Sequence, residues 1–281
     1  MFAAQAPGQQ TGHPPYTPFV PNTSITGETQ KAMALVTAPI SIFCGETLLG
    51  SATGFFFSTE DNHRLFLITN RHVVVLDHPQ PGQAGPQFPD HLVLRLHTSD
   101  NDFRLSANYI VPLYRAVAPT SVGQPPGRER LWREVDADTD VVAIELSVTE
   151  LNRFSKAMFT SADLLSADMS LPLGEALVVI GYPLGFSDQM FNLPIAREGT
   201  VASVFPVPFQ GKRFFLVDAR LHPGTSGSPV VTRPTQFLVQ GGAATLLGHY
   251  VTFLVGINSG SFGELNLNAV WFADVILELT R

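Results

Sequence analysis

A serine in Pro223-Gly224-Thr225-Ser226-Gly227-Ser228-Pro229-Val230, a histidine in Leu67-Ile68-Thr69-Asn70-Arg71-His72-Val73-Val74 and an aspartate in Asp140-Val141-Val142-Ala143-Ile144-Glu145-Leu146 could combine into one chemistry. A serine hydroxyl is a weak nucleophile at neutral pH. It attacks a carbonyl only when a base takes its proton, and the base needs a partner that fixes its tautomer. Ser226, His72 and Asp140 supply those three roles in the chain order His, Asp, Ser, each at the edge of an apolar run. Gly224, two residues ahead of the serine, suits a backbone turned so that its N–H and that of Ser226 face one hollow, where the oxyanion of acyl transfer would sit. Gly227 lets the chain turn tightly after the serine. Each piece alone has a plainer reading. Gly224 to Pro229 is also turn composition, His72 is also a histidine at a strand end, and Asp140 is also a cap or turn residue after Asp136 and Asp138. The combination in one order, beside three apolar strands, is specific.

At these residues the sequence resembles the trypsin-like serine peptidases, most closely the bacterial, disulfide-free branch related to the Deg-type proteases. Four stretches carry the likeness: Gly50-Ser51-Ala52-Thr53-Gly54-Phe55-Phe56-Phe57, Ile68 to Val74 around His72, Asp138 to Ile144 around Asp140, and Leu216-Val217-Asp218-Ala219 through Pro229 around Ser226. It runs from about Met33 to Leu279. The resemblance implies two perpendicular β-barrels with the active site in the cleft between them, the first giving His72 and Asp140 and the second Ser226. It implies peptide-bond hydrolysis through an acyl-enzyme: Ser226 attacks, His72 moves the proton, Asp140 holds His72, and the amides of Gly224 and Ser226 form the oxyanion hole. The substrate would be a protein or peptide, no cofactor is called for, and a regulatory protein partner is a further expectation. Two departures stand out. Ser228 replaces the second glycine that the family's commonest motif has after the nucleophile, adding a rival hydroxyl, and the appended peptide-binding domain of many Deg-type proteins has no counterpart here.

Specificity is expected from the residues before Ser226 and from the strand Leu254 to Gly260, where Ile257, Asn258 and Ser259 would line the primary pocket. Arg220, six residues ahead of Ser226, falls where the family often places the pocket floor. Pointing inward it would favour an acidic side chain before the scissile bond; the alternative is that it faces solvent or pairs with Asp218. His222 is expected at the rim.

The elements that must position these residues read as strands. Glycine (23), proline (22) and phenylalanine (21), with only 15% charged residues, describe short strands joined by tight turns. β-branched and aromatic runs at 34–44, 47–58, 63–70, 91–97, 103–112 and 140–146 predict one set of six strands, and those at 175–182, 195–205, 213–219, 228–232, 250–258 and 265–270 a second. The expected fold is therefore all-β: two six-stranded antiparallel barrels plus a C-terminal helix. Its parts are a loosely ordered, Gln- and Pro-rich arm (1–30), the first barrel (31–150), a linker (151–173), the second barrel (174–267) and a helix (268–281) with Asn268 as its cap and Val270, Trp271, Val275, Ile276 and Leu279 at helical spacing. Long loops are expected at 77–90 and 115–134.

Other function classes find little support. A net charge of −7 without a basic block leaves no electrostatic footprint for nucleic acid or an anionic membrane. Cys44 is the single cysteine, so no internal disulfide or thiolate cluster can form, and the scattered Asp and His residues lack metal-ligand spacing, so no metal is assigned. The start of the chain carries no export signal and no apolar run reaches the roughly 20 residues of a membrane span, which points to the cytoplasm. A serine esterase on an α/β fold is disfavoured, because there the histidine comes last and the serine sits between strand and helix. A catalytically silent relative that binds peptides or proteins in the same cleft is the main alternative to an active enzyme.

Overall fold

The computed structural model describes residues 28–59, 63–75, 88–118, 127–165, 169, 171–188, 190–240 and 243–281. Residues 1–27 of the expected arm, and most of the loop expected at 77–90, lie outside this set. The first half runs α1 (Glu28–Val36), β1 (Thr37–Cys44), β2 (Thr47–Ser58), β3 (Leu65–Thr69), the one-turn helix α2 (Arg71–Val74), β4 (His91–His97), β5 (Ser106–Pro112), β6 (Tyr114–Val117), β7 (Gly127–Arg130), β8 (Trp132–Glu134) and β9 (Val142–Leu146). A short helix α3 (Val148–Leu151) opens the connection to the second half. There follow β10 (Ala176–Gly181), β11 (Ile195–Val201), β12 (Phe214–Asp218), β13 (Pro229–Thr232), β14 (Thr235–Gln240), β15 (Ala243–Val251), β16 (Leu254–Ser261), β17 (Leu267–Phe272) and α4 (Val275–Leu279).

Ladders connect the first half into a seven-stranded sheet in the order β5-β4-β1-β2-β3-β9-β8, and the second half into a closed six-stranded barrel, β10-β11-β12-β17-β16-β13. The all-β double-barrel expectation stands, with a refinement. The first sheet has a seventh strand, β8, and its ladder ends at β5 and β8 rather than closing. Two hairpins, β6-β7 and β14-β15, stand outside both sheets. The first occupies the expected loop at 115–134: Arg115 faces Glu129 across the ladder and the two form an ion pair at 2.5 Å.

Alternate residues of a strand point to opposite faces, and here both faces of the central strands are buried, which is why their sequences are apolar without interruption. Phe56, Leu65 and Leu67 turn into the core of the first sheet, whereas Phe55, Phe57, Phe66 and Ile68 turn out toward the second half. The barrel answers in kind. Phe215, Val217, Val230, Val255 and Val270 fill its interior, while Phe214, Leu216, Val231, Leu254, Ala269 and Trp271 join the phenylalanines in one shared core that α4 closes with Val275, Ile276 and Leu279. The cleft residues are thus carried on two sheets that cannot shift independently without opening apolar surface.

Three expectations need correcting. Residues 28–36 form α1 rather than an arm and the start of a strand, since Ala34 and Leu35 bury against Phe103 and Val36 against the shared core. Residues 267–272 are strand, not helix: Asn268 pairs with Val217 and Val270 with Asn258, and the helical spacing read there is a two-faced strand with Val270 inside the barrel and Trp271 outside. The closing helix is confined to 275–279. Asn268 is no cap. It is buried, and its amide donates to the carbonyls of Ala219 at 2.6 Å, Asn266 at 3.2 Å and Val217 at 3.4 Å. Among the described residues no helix is long and apolar enough to cross a membrane.

Candidate active site

His72 does not end a strand; it sits on the single turn of α2, which follows β3 directly and is pinned by the buried Val73 and Val74. Asp140 lies just before β9. The carboxylate of Asp136 accepts from the backbone N–H groups of Asp138 and Thr139 at 2.9 and 2.7 Å, a local turn that leads the chain to Asp140. Asn70 fastens the two segments by donating to the Asp140 carbonyl at 2.7 Å.

The Asp140 carboxylate receives three hydrogen bonds. The His72 backbone N–H donates to Oδ1 at 2.9 Å, His72 Nδ1 to Oδ2 at 2.7 Å, and the Ser259 hydroxyl to Oδ2 at 2.5 Å. Burial alone would raise its pKa, but the bonds from His72 and Ser259 and the neighbouring imidazole hold it below the ordinary aspartate value. A carboxylate can only accept, so Nδ1 carries the proton toward it and Nε2 is left as the acceptor nitrogen.

The turn bearing Ser226 connects β12 to β13. Gly224 and Gly227 both take positive φ (92° and 81°), and an added Cβ would lie 2.6 Å from the Tyr182 carbonyl at the first and 2.1 Å from the Thr53 carbonyl at the second. Both positions therefore require glycine, for backbone angle and for space. Ser226 is partly exposed, whereas Ser228 is wholly buried with its hydroxyl unpartnered. Of the two hydroxyls, the Ser226 one can meet a substrate.

Four contacts bring the turn to the His72–Asp140 pair. The Ser226 carbonyl accepts from Thr53 N–H at 2.8 Å. The Gly227 position abuts Thr69, three residues before His72. Gly227 N–H donates to the Asn258 carbonyl at 2.9 Å, and the next residue, Ser259, reaches Asp140. Ser226 Oγ and His72 Nε2 carry no hydrogen bond among the described residues; in a substrate-free site such bonds are commonly long and tighten when substrate binds. The N–H groups of Gly224 and Ser226 are likewise without acceptors. Free, adjacent N–H donors beside an accessible hydroxyl can stabilise an oxyanion.

Of the residues expected to line the pocket, two are buried. Ile257 is buried in the core between the halves, and Asn258 is buried behind the turn bearing Ser226, donating from Nδ2 to the Thr225 carbonyl at 2.9 Å. β16 pairs on both sides, with β13 and β17. Ser259 turns its hydroxyl to Asp140 instead, a support that its place in the strand did not announce. Arg220 is exposed, with no side-chain hydrogen bond or ion pair among the described residues, so the expected pairing with Asp218 is not made; its carbonyl accepts from Arg197 at 2.8 Å. His222 is partly buried and its carbonyl caps Thr225, accepting from the hydroxyl at 2.7 Å and the N–H at 3.2 Å. Among the described residues, no group of three or more His, Cys, Asp or Glu comes together as a metal site.

No curated protein matches the chain. Among solved structures, a serine endoprotease from Yersinia pestis is 14% identical with a TM-score of 0.50, covering 91% of this chain and 66% of its own. The M. tuberculosis protease Rv3671c in its active form is 15% identical with a TM-score of 0.48, covering 99% of this chain and 92% of its own. At such identities the likeness to the Yersinia enzyme speaks for the fold. The family model described as trypsin-like peptidase domain matches residues 52–239, a span holding His72, Asp140 and Ser226. The chain belongs to the trypsin-like peptidase family and is a serine protease.

Proposed function

We propose that the protein hydrolyses peptide bonds of protein or peptide substrates through an acyl-enzyme on Ser226, with His72 as proton carrier and Asp140 as its orienting partner. The observation that carries this reading is the Asp140 carboxylate, which binds both the backbone N–H and Nδ1 of His72 and thereby fixes the tautomer in which Nε2 accepts. In the first step Nε2 takes the Ser226 proton as Oγ adds to the scissile carbonyl. The imidazolium so formed is stabilised by Asp140, and the oxyanion by the N–H groups of Gly224 and Ser226. Collapse expels the amine with the proton from His72. Water, deprotonated by the same nitrogen, then releases the acid and restores Ser226.

The unmade Ser226–His72 hydrogen bond is the one feature that favours the second reading, a silent module that binds peptides without cutting them. Rapid mixing with a p-nitrophenyl ester separates the two. An active enzyme releases a burst of nitrophenol equal to the enzyme concentration, followed by slower turnover as the acyl-enzyme hydrolyses. Folded protein giving neither burst nor turnover would leave only the binding reading.

A further inference from the structure

We propose that the hydroxyl of Thr53 is a positioning residue for the oxyanion hole, holding the Gly224 carbonyl so that the N–H groups of Gly224 and Ser226 stay turned to the cleft. The proposal rests on the reading of Ser226 as the nucleophile. Thr53 belongs to β2 in the first sheet, yet its hydroxyl and its backbone N–H are spent on the second half. Tyr182 N–H donates to its Oγ1 at 2.9 Å, Oγ1 donates to the Gly224 carbonyl at 2.8 Å, and its backbone N–H donates to the Ser226 carbonyl at 2.8 Å. Its own carbonyl accepts from the Thr69 hydroxyl at 2.9 Å. The side chain is completely buried. A hydroxyl has one proton, and with Tyr182 N–H occupying a lone pair that proton is directed at Gly224.

The direction of these bonds matters because a trans peptide points its C=O and N–H to opposite sides. The Pro223 carbonyl accepts from Leu184 N–H at 2.5 Å, so the N–H of the same peptide, that of Gly224, points away from the 182–186 turn. The following carbonyl, that of Gly224, is held by Thr53. Both peptides flanking Gly224 thus have their carbonyl held by a donor, one by Leu184 N–H and the other by the Thr53 hydroxyl. Gly224 has no side chain to restrict it. With its carbonyl released, the 224–225 peptide keeps only the Thr225 N–H bond to the His222 carbonyl at 3.2 Å, and rotation about Gly224 then turns the Gly224 and Ser226 N–H groups on either side of it out of their common direction. The neighbouring sequence makes room for the bridge. A Cβ at Gly181 would lie 2.8 Å from Thr53 Oγ1 and 2.0 Å from Ser228 Oγ, and one at Gly224 would strike the Tyr182 carbonyl and Leu184 N.

Thr53→Val keeps the shape and the strand but removes the hydroxyl, and Thr53→Ser keeps the hydroxyl. In the full chain, Thr53→Val is expected to lower kcat by about 10²-fold with KM within about twofold, because a lost oxyanion donor acts in the transition state and not on substrate binding. Thr53→Ser is expected to recover kcat to within about threefold of the parent, and a loss from loosened packing would not be rescued in this way. Should Thr53→Val fail to fold, Thr53→Ala removes the same hydroxyl without pressing a methyl on the Gly224 carbonyl and carries the same expectation. A folded valine or alanine variant with parental kcat, or a serine variant as slow as the valine one, overturns the proposal and leaves the reading of the site standing. A parent chain that neither turns over nor acylates at Ser226 overturns that reading, and the proposal with it.

Discussion

Replacing His72 with alanine is expected to lower kcat by about six orders of magnitude, the loss seen when the base of a serine protease triad is deleted. Without Nε2 the Ser226 proton has no acceptor, and the leaving amine has no acid to protonate it. The fold should survive. The His72 side chain is 47% exposed, and α2 is held by Val73 and Val74 on its other side. Asp140 keeps its bonds from the residue-72 backbone N–H and Ser259. Steady-state kinetics beside a thermal melt checks both halves of the expectation: activity gone, Tm within a few degrees of the parent. A His72→Ala chain retaining a tenth of parental kcat would show that another group serves as the base.

The second large effect concerns orientation rather than proton transfer. Asp140→Asn is expected to lower kcat by about 10⁴-fold, with the site otherwise in place. The native carboxylate accepts from three donors, two of them on His72. An amide offers one oxygen and an NH2. With the oxygen kept by the Ser259 hydroxyl or the backbone N–H, the NH2 faces Nδ1, which must then become the acceptor. The proton moves to Nε2, the atom that has to accept from Ser226. The same substitution carries a stability signature with a definite sign. Because the folded state holds the Asp140 pKa below its ordinary value, the ionised carboxylate stabilises the fold above the unfolded-state pKa, and that contribution is lost as pH falls through the folded value. Urea unfolding from pH 7 to pH 3 should show the parent losing more stability than Asp140→Asn in the acid range. Parallel curves, or an asparagine variant with near-parental kcat, would contradict the role given to Asp140.

Ser226, His72 and Asp140 could be read from the chain because each stands in a short, nearly contiguous signal, turn glycines around a serine or a polar residue at the end of an apolar strand. The strands could be read for a related reason: runs such as Phe55 to Phe57 and Leu65 to Ile68 are apolar on both faces, and two-sided burial leaves no other pattern. The supports of the site were harder to see. Thr53 and Ser259 act through contacts between residues more than a hundred positions apart, and a hydroxyl in a strand carries no mark of its distant partner. Asn258 and Ile257 lie on the strand expected to wall the pocket, but which face of β16 looks into the cleft depends on its pairing with β13 and β17. Asn268 and Trp271 fit helical spacing equally well as strand residues with both faces covered, and tertiary pairing decides between the two.

The central claim, that Ser226 is the nucleophile in an assembled site, is tested most directly by reacting the folded protein with a fluorophosphonate and locating the adduct by peptide mass spectrometry. The account predicts one adduct per chain, on Ser226, absent from Ser226→Ala and strongly slowed in His72→Ala. No adduct on folded protein, or an adduct on Ser228 or Ser259 instead, would contradict it.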